Sequence, residues 1–270
     1  MSKTFSLAHL TVLGCRPAEA THIASDLGFD YVGFRTIPLG LPGEPRYVIS
    51  EDKPMLQETK RALADTGMKA LDIEIARITD GLDVTTYVPA FAAAAELGVK
   101  HVLTSSGAKD YGFTVDAVAK LCEIAAQYGL TIDFEFIAFS EIPTLSKTMA
   151  LLRDVNQPNA GVLIDTLHMC LSNTPTEELD AVPRDMLRYA QLNDCRPTSV
   201  TPSTAEMIHI AREERLYLGE GVIPVRAIVD RLPDVPLALE ITHKRRLEAL
   251  GYREYARQCL ATAKAYFGEA

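Results

Sequence analysis

The sequence lacks the features that would place the protein outside the ordinary globular class. Its five cysteines are odd in number, widely spaced and free of any C-x-x-C pair, which argues against a disulfide framework or a zinc ribbon. No segment approaches the roughly 20 consecutive apolar residues that a membrane helix needs, and the N-terminus shows no apolar signal segment. These absences predict a reduced, cytoplasmic protein with no membrane partner.

Positive charge and glycine-rich nucleotide loops are also scarce. The 270 residues include 27 Lys and Arg against 36 Asp and Glu, a net charge of −9, and the dense basic run is confined to 243–246. Nucleic-acid-binding proteins usually carry a basic stripe, so nucleic acid is not an expected partner. No G-x-G-x-x-G follows a strand-like segment and no G-x-x-x-x-G-K-[ST] occurs, which removes support for a dinucleotide or P-loop site.

What the sequence does contain is a repeat of a helix end, a glycine and a short apolar strand. The glycines are Gly28, Gly67, Gly98 and Gly129, which lie 39, 31 and 31 residues apart. Glycine suits the left-handed conformation that closes a helix. Short apolar strands that alternate with helices indicate parallel strands joined by helical crossovers.

The second half of the chain continues this alternation with less regular connections and ends in a helix predicted near 251–267. Eight such units in 270 residues predict a single (β/α)8 barrel, with 1–270 as one domain. A doubly wound open sheet is the alternative, which the even repeat and the count of eight disfavour. The strands are predicted near 5–12, 29–35, 69–76, 99–105, 130–137, 160–166, 188–194 and 236–242.

Four polar residues interrupt apolar strands close to the strand ends, where such barrels hold their active sites. They are Glu135, Asp165, Gln191 and Glu240. Three carboxylates around one barrel mouth repel each other unless a positive charge lies among them. A divalent cation with oxygen ligands, Mg²⁺ or Mn²⁺, would supply that charge. The alternative is that the acids pair with basic side chains or that the strand ends are misplaced.

Further candidates surround this set. His168 follows Asp165 by three residues and is expected to act as a fifth or outer ligand or as a general acid or base. Glu74 would bind substrate hydroxyls or form a salt bridge with Arg77 or Arg35. Basic residues at Arg35, Arg196 and His243, the last within the 243–246 cluster, are candidates for binding an anionic substrate group.

The connection from Cys195 to Ile223 is long for a barrel and contains a helical pattern near Thr204–Arg215. Glycines on both sides of Glu220 predict a tight, mobile turn. Long loops within compact domains are often functional, so this segment is interpreted either as a lid over the barrel mouth or as an ordinary surface excursion.

Several of these residues fall into a known pattern: Glu135, Asp165-x-x-His168, Gln191-Leu-Asn-Asp194, Arg215-Leu-Tyr-Leu-Gly-Glu-Gly221 and Glu240. Over nearly its whole length the chain resembles the xylose isomerase-like TIM barrels, the sugar phosphate isomerase/epimerase superfamily. The resemblance implies that Glu135, Asp165, Gln191 and Glu240 bind one metal ion, that Glu135 and Glu240 flank the reacting carbons, and that His168 is catalytic or an outer ligand.

Two departures from the epimerase pattern bear on the reaction. Many epimerases of this family have His where this chain has Gln191, and the Arg that follows their motif is offset here, at Arg196. Glutamine at this place resembles the bacterial 3-dehydroshikimate dehydratases. The endonuclease branch of the family uses three metals and many more histidines than the six present here, so the resemblance does not extend to it.

The resemblance implies proton removal next to a carbonyl, through a metal-stabilised enediolate. The leading interpretation is an isomerase or epimerase of a sugar or polyhydroxy ketone that uses one divalent ion. Mn²⁺ and Mg²⁺ are the preferred ions, and Co²⁺ and Zn²⁺ are the alternatives. The second interpretation is a dehydratase of the dehydroshikimate or inosose type. A third interpretation is a barrel that binds a sugar or a partner without turnover. The expectation that the protein forms a homo-oligomer rests on analogy with similar barrels only.

Overall fold

A computed structural model describes residues 3–41, 43–198 and 202–269. Within this part of the chain, eight parallel strands form a closed barrel in which each strand pairs with the next and the last pairs with the first. The fold is therefore the predicted (β/α)8 barrel. The strands are β1 (Phe5–Leu7), β2 (Tyr31–Arg35), β3 (Lys69–Ile78), β4 (His101–Ser106), β5 (Thr131–Glu135), β6 (Ala160–Asp165), β7 (Ala190–Leu192) and β8 (Leu237–Leu239).

Helices connect the strands and surround the barrel. Short 3₁₀ turns occupy His9–Val12, Val84–Tyr87, Thr176–Ala181 and Arg184–Met186. None of the helices in the described ranges is long and apolar enough to cross a bilayer. The α-helices are α1 (Pro17–Leu27), α2 (Lys53–Thr66), α3 (Val88–Glu96), α4 (Tyr111–Ala126), α5 (Leu145–Val155), α6 (Thr166–Leu171), α7 (Thr204–Glu213), α8 (Val225–Val229) and α9 (Lys244–Phe267).

The glycine repeat has the predicted structural role. Gly28, Gly67, Gly98 and Gly129 all adopt a positive φ, between 69° and 81°, directly after or within two or three residues of a helix end. A side chain in this left-handed conformation is strained, whereas glycine adopts it without a Cβ penalty. The repeat therefore marks the turns at which the chain leaves each helix and enters the next strand.

Several strands are shorter than the sequence predicts. β1 ends at Leu7 rather than near residue 12, because the chain turns into a 3₁₀ helix in which His9 is held by two hydrogen bonds. β7 and β8 contain three residues each. The last helix begins at Lys244 rather than near 251, and Gly251, with φ 71° and ψ 166°, marks a break within it.

The strand register aligns the predicted site residues at one end of the barrel. Asp165 pairs with Gln191, which in turn pairs with Ala238, two residues before Glu240. Below this end, a buried cluster fills the barrel, while a larger apolar layer lies between the strands and the helices. The inner cluster comprises Ala8, Leu71, Ile75, Leu103, Leu163, Tyr189 and Ala238.

Candidate active site

A cavity of about 580 Å³ opens at the carboxyl ends of the strands, where (β/α)8 enzymes hold their active sites. Glu135, His168 and Glu240 line it, as does Arg215. Asp165 has no exposed surface and lies beneath the cavity wall. The strand-end residues predicted from the sequence are therefore gathered at one mouth, partly as lining and partly as support.

Three of these residues form a compact group. Glu135 is the last residue of β5, Asp165 is the last of β6, and His168 lies in the first turn of α6. Asp165 also caps α6, because its Oδ1 atom accepts a hydrogen bond from the Leu167 amide at 2.8 Å. One ligand atom from each of the three residues lies within 4.8 Å of the others. The cap therefore fixes both Asp165 and the helix that carries His168.

His168 faces Glu135 across the cavity floor. Its Nε2 atom lies 3.9 Å from Oε1 of Glu135, and its Nδ1 atom accepts a hydrogen bond from the Ala138 amide at 3.4 Å. The Phe139 ring packs edge-on against the imidazole, with ring centroids 5.7 Å apart. These contacts leave Nε2 as the imidazole nitrogen that is directed at the acidic group.

A guanidinium group lies within the acidic cluster. Nη1 of Arg215 is 2.8 Å from Oδ2 of Asp165 and 2.7 Å from Oε2 of Glu240. The Asp165 carboxylate also accepts a hydrogen bond from Nδ2 of Asn193 at 2.9 Å. The chain itself therefore supplies part of the positive charge that was expected from a metal ion. This agrees in part with the alternative that the strand-end acids pair with basic side chains.

Gln191 connects to the cluster through Glu240. Its Nε2 atom donates a hydrogen bond to Oε1 of Glu240 at 2.9 Å. Its Oε1 atom is buried and has no hydrogen-bond partner among the described residues. A buried amide oxygen without a partner is unfavourable, so this acceptor is available to a ligand that the chain does not supply.

The electrostatics separate the members of the group. Burial, together with the charges of Asp165 and Glu240, raises the pKa of Glu135 well above its usual value. Burial opposes ionisation of Asp165 too, but the Arg215 charge and the hydrogen bonds to that carboxylate outweigh it, so its pKa lies below the usual value. Burial lowers the pKa of His168 to about 4. His168 is therefore a neutral imidazole at pH 7.

The predicted substrate-binding residues divide into two groups. Arg35, Glu74 and His243 line the cavity. Nε of Arg35 pairs with Glu44 at 2.8 Å and its Nη1 with Glu74 at 3.2 Å, so the arginine charge is already compensated by two carboxylates. Of the alternatives for Glu74, the structure shows the salt bridge.

Arg196 requires a correction. Its side chain is 45% exposed and is directed towards α7, where it pairs with Glu206 at 3.5 Å and with Glu214 at 3.3 Å. It does not belong to the wall of the cavity. Proximity to Asp194 in the sequence does not bring this guanidinium to the site, because the two glutamates hold it at the surface.

The segment 195–223 contributes to the cavity mouth through α7, whose residues Ala211, Arg212 and Glu213 line it. The helix covers most of the range that the sequence predicts, and residues 199–201 lie outside the described part of the chain. The turn predicted to be mobile is anchored by Asp194, whose carboxylate accepts hydrogen bonds from the amides of Gly219, Gly221 and Ile223.

Arg215 is not among the site residues expected from the sequence, although it begins one of the motifs that carried the family resemblance. It follows α7, outside any strand, and a search restricted to strand ends therefore passes over it. Arg77, near the end of β3, also lines the cavity. From the sequence it is expected only as a salt-bridge partner of Glu74, and its position near the end of a strand is the signal that could have placed it at the site.

A model of the xylose isomerase-like TIM barrel family matches residues 22–259 of this chain. The chain therefore belongs to that family, which confirms the resemblance seen in its motifs. The match covers every strand except β1 and all nine labelled helices at least in part. Family membership is consistent with the barrel fold, and the chemistry that this chain can perform is inferred from the positions of its own residues.

Two curated relatives illustrate the range of reactions among similar proteins. Inosose isomerase of Bacillus licheniformis is 22% identical over 153 residues, which are 56% of this chain and 52% of that protein. The 3-dehydroshikimate dehydratase of Pseudomonas putida is 25% identical over 255 residues, 87% of this chain and 37% of that protein. The matched segment thus covers less than two thirds of each relative.

Among solved structures, the crystal structure of the IolI protein with a bound zinc atom has a TM-score of 0.82 to this chain. The two are 18% identical, and the superposition covers 98% of each. At this identity the similarity shows a shared fold along the whole length of both chains.

Proposed function

We propose that the protein is a divalent-metal-dependent enzyme that removes a proton from the carbon next to a carbonyl group in a small polyhydroxylated substrate. The observation that carries the proposal is the buried group of Glu135, Asp165 and His168 at the floor of an open cavity, with ligand atoms within 4.8 Å of one another. Family membership and relatives that are isomerases and dehydratases support it.

The donor set fits one divalent ion. The carboxylates of Glu135, Asp165 and Glu240 and the amide oxygen of Gln191 offer the oxygen ligands that Mn²⁺ and Mg²⁺ prefer, and an imidazole at His168 also suits Co²⁺ or Zn²⁺. The unpartnered Oε1 of Gln191 supports this assignment, because a cation would satisfy it. When bound, such an ion supplies Lewis-acid stabilisation of negative charge on the substrate carbonyl oxygen.

Glu135 is the proposed general base. Its carboxylate lines the cavity at the end of β5, where it can accept a proton from a substrate held in the cavity. It would take the proton from the carbon next to the carbonyl, and the C–H electron pair would form the enolate. His168 would bind the ion through Nε2, because its Nδ1 atom already accepts a hydrogen bond from the Ala138 amide and its Nε2 atom faces Glu135 at 3.9 Å.

The geometry favours a reaction that needs one base. Both carboxylate oxygens of Glu240 are engaged, Oε1 by Gln191 and Oε2 by Arg215. Epimerisation between two faces of a carbon requires a second base, and Glu240 is poorly placed to act as one. Dehydration requires one base: the proton on Glu135 leaves with the β-hydroxyl group as water, and a carbon–carbon double bond forms as the C–O bond breaks.

We therefore infer that dehydration of a hydroxylated cyclic keto compound is the leading reaction. The glutamine at Gln191 supports this choice, since it is the residue that resembles the dehydroshikimate dehydratases. Isomerisation is the second candidate, because the proton on Glu135 could instead return to the neighbouring carbon. The similarity to an inosose isomerase supports that alternative.

The test is to load the purified protein with Mn²⁺ and supply 3-dehydroshikimate, while the ultraviolet absorbance of an unsaturated product is recorded. In parallel, inosose and ketoses are incubated in deuterated water, and deuterium incorporation is followed by NMR. Product absorbance identifies a dehydratase. Deuterium incorporation without loss of water identifies an isomerase.

Two variants make the result specific to the site. Glu135→Gln is expected to abolish either reaction, whereas Asp72→Asn keeps a polar group at a buried barrel position away from the cavity and is expected to retain activity. Activity in the Glu135→Gln variant, or the absence of both reactions in the metal-loaded wild type, would contradict the proposal.

A further inference from the structure

Arg77 differs from the other cationic residues of the cavity in having no acidic partner. Arg35 and Arg215 each pair with two carboxylates, whereas Arg212 and Lys244 are exposed at the rim. The Arg77 side chain is half-buried in the wall, and among the described residues it forms no ion pair or hydrogen bond. The buried Nε–H of this guanidinium is therefore an unsatisfied donor, which a ligand in the cavity would satisfy.

A second unpartnered donor lies beside it. Ser105 is 1% exposed, and its Oγ atom has no hydrogen-bond partner. Ser105 is the register partner of Arg77 on β4, and both residues line the cavity. The unpartnered Arg77 Nε and Ser105 Oγ therefore come from paired residues on adjacent strands.

The backbone leaves room for the guanidinium. Nη2 of Arg77 lies 2.8 Å from the position that a Cβ atom would occupy at Gly107, which also lines the cavity. Any larger residue at 107 would displace the arginine.

The pairing of β3 with β4 also shifts in register between Ile73 and Ala76. Glu74 and Arg77, which are three residues apart on β3, both line the cavity. In a regular strand, residues three apart face opposite sides.

We propose that Arg77 and Ser105 bind a carboxylate group of the substrate. A guanidinium offers two parallel N–H donors that match the two oxygens of a carboxylate, and the serine hydroxyl adds one donor. One guanidinium balances the single charge of a carboxylate, whereas a phosphate dianion calls for more positive charge than the two unpartnered groups provide. The substrate class is thus a polyhydroxylated keto acid rather than a neutral sugar.

The location agrees with the candidate reaction centre. Ser105 lies at the end of β4, between Arg77 on β3 and Glu135 on β5. Two strand spacings separate β3 from β5, roughly 10 Å, which suits a small cyclic acid with its carboxylate at one end and its reacting carbon at the other. The inference deepens the proposed function and rests on it for the position of the reacting carbon.

The test measures binding, so that it does not depend on turnover. The Mn²⁺-loaded full chain is titrated calorimetrically with shikimate, which carries the carboxylate but no ketone, with methyl shikimate, which is neutral, and with fructose 6-phosphate. We expect shikimate to bind at least 30-fold more tightly than its ester, and Arg77→Met to remove that difference. Ser105→Ala is expected to reduce it several-fold.

Arg212→Met serves as the matched control, because Arg212 is a rim arginine of the same cavity and should leave the difference unchanged. Arg77→Lys keeps the charge without the paired donors and is expected to restore part of the difference, which separates recognition from a folding defect. Equal binding of acid and ester, no binding of shikimate, or tighter Arg77-dependent binding of fructose 6-phosphate would each overturn the carboxylate assignment.

The two proposals fail in different ways. Selective shikimate binding without dehydration or isomerisation of any tested substrate would retain the carboxylate site and remove the proposed reaction. Dehydration of 3-dehydroshikimate by Arg77→Met with an unchanged KM would retain the reaction and remove the carboxylate site.

Discussion

The guanidinium of Arg215 and the carboxylate of Asp165 form a buried ion pair, with Nη1 and Oδ2 2.8 Å apart, at the centre of the candidate site. The same nitrogen also contacts Glu240 at 2.7 Å. One arginine therefore contacts two of the residues proposed as metal ligands. A cation that binds here shares these carboxylates with Arg215, and the arginine limits the negative charge that the cluster carries without the ion.

Replacement of Arg215 should therefore be strongly destabilising. Arg215→Met removes the cationic partner of two buried carboxylates, and we expect the free energy of unfolding to fall by about 3–5 kcal/mol. Urea denaturation of the metal-free protein measures this loss. Addition of Mn²⁺ should recover more stability in the variant than in the wild type, because the ion replaces the missing positive charge.

Arg196→Met is the matched control. Arg196 also pairs with two glutamates, but it is exposed, and surface ion pairs contribute about 1 kcal/mol or less. Equal stability losses in the two variants would show that the buried position of Arg215 has no special effect.

The proposed metal set gives a second prediction. Elemental analysis of the wild type after Mn²⁺ loading and desalting should find about one ion per chain, and Asp165→Asn should retain much less, because an amide is a weaker ligand than a carboxylate. Asp72→Asn is the control: Asp72 is equally buried and accepts a hydrogen bond from Tyr189. No bound ion in the wild type would remove the metal from the proposal, and equal metal content in the wild type and Asp165→Asn would remove Asp165 from the ligand set.

The strand-end acids could be predicted from the sequence because polar residues that interrupt apolar strands stand out, and the barrel then places the ends of all strands together. Arg215 could not be found by that route. It lies in the connection after α7, where no periodic pattern indicates which way a side chain points. The outward direction of Arg196 depends in the same way on Glu206 and Glu214, which are distant in sequence.

The lengths of β1, β7 and β8 were overestimated for a related reason. Apolar residues continue past the last paired residue, since the loops at the barrel mouth are themselves buried. Ile241, for example, is fully buried although β8 ends at Leu239. A run of apolar residues indicates which residues are buried, but it does not indicate where backbone pairing between strands ends. That end depends on contacts such as the hydrogen bond from the Thr11 hydroxyl to the Leu239 carbonyl.

The turn after α7 gives a third prediction. Oδ2 of Asp194 accepts hydrogen bonds from the amides of Gly219 at 3.1 Å and Gly221 at 2.9 Å. Asp194→Asn presents an amide group with only one acceptor atom, and we expect a loss of roughly 2–4 kcal/mol in stability. Limited proteolysis should then cleave within 195–223 faster than in the wild type.

Asp230→Asn, at an exposed position at the end of α8, is the control for this experiment. It should match the wild type in both stability and cleavage rate. If Asp194→Asn also matched the wild type, the anchoring role of Asp194 would be wrong and the mobile turn predicted from the glycines would be restored.

The buried imidazole of His9 predicts a pH dependence of stability. Burial lowers the pKa of His9 to about 4, and the ring is held by the Arg35 amide and the Cys15 carbonyl. The unfolded chain binds a proton near pH 6.5, whereas the folded protein does so only near pH 4. The unfolded state therefore holds more protons between these values, and stability falls as pH decreases from about 7 to 4, by roughly 3 kcal/mol at most.

His9→Gln keeps an acceptor and a donor but cannot be protonated, so its unfolding free energy should decline less between pH 7 and pH 4 than that of the wild type. His22→Gln removes an exposed histidine on α1 and should keep the wild-type slope. Urea denaturation at pH 7, 6, 5 and 4 compares the three proteins, and parallel curves for His9→Gln and the wild type would mean that His9 is protonated as readily in the folded protein as in the unfolded chain.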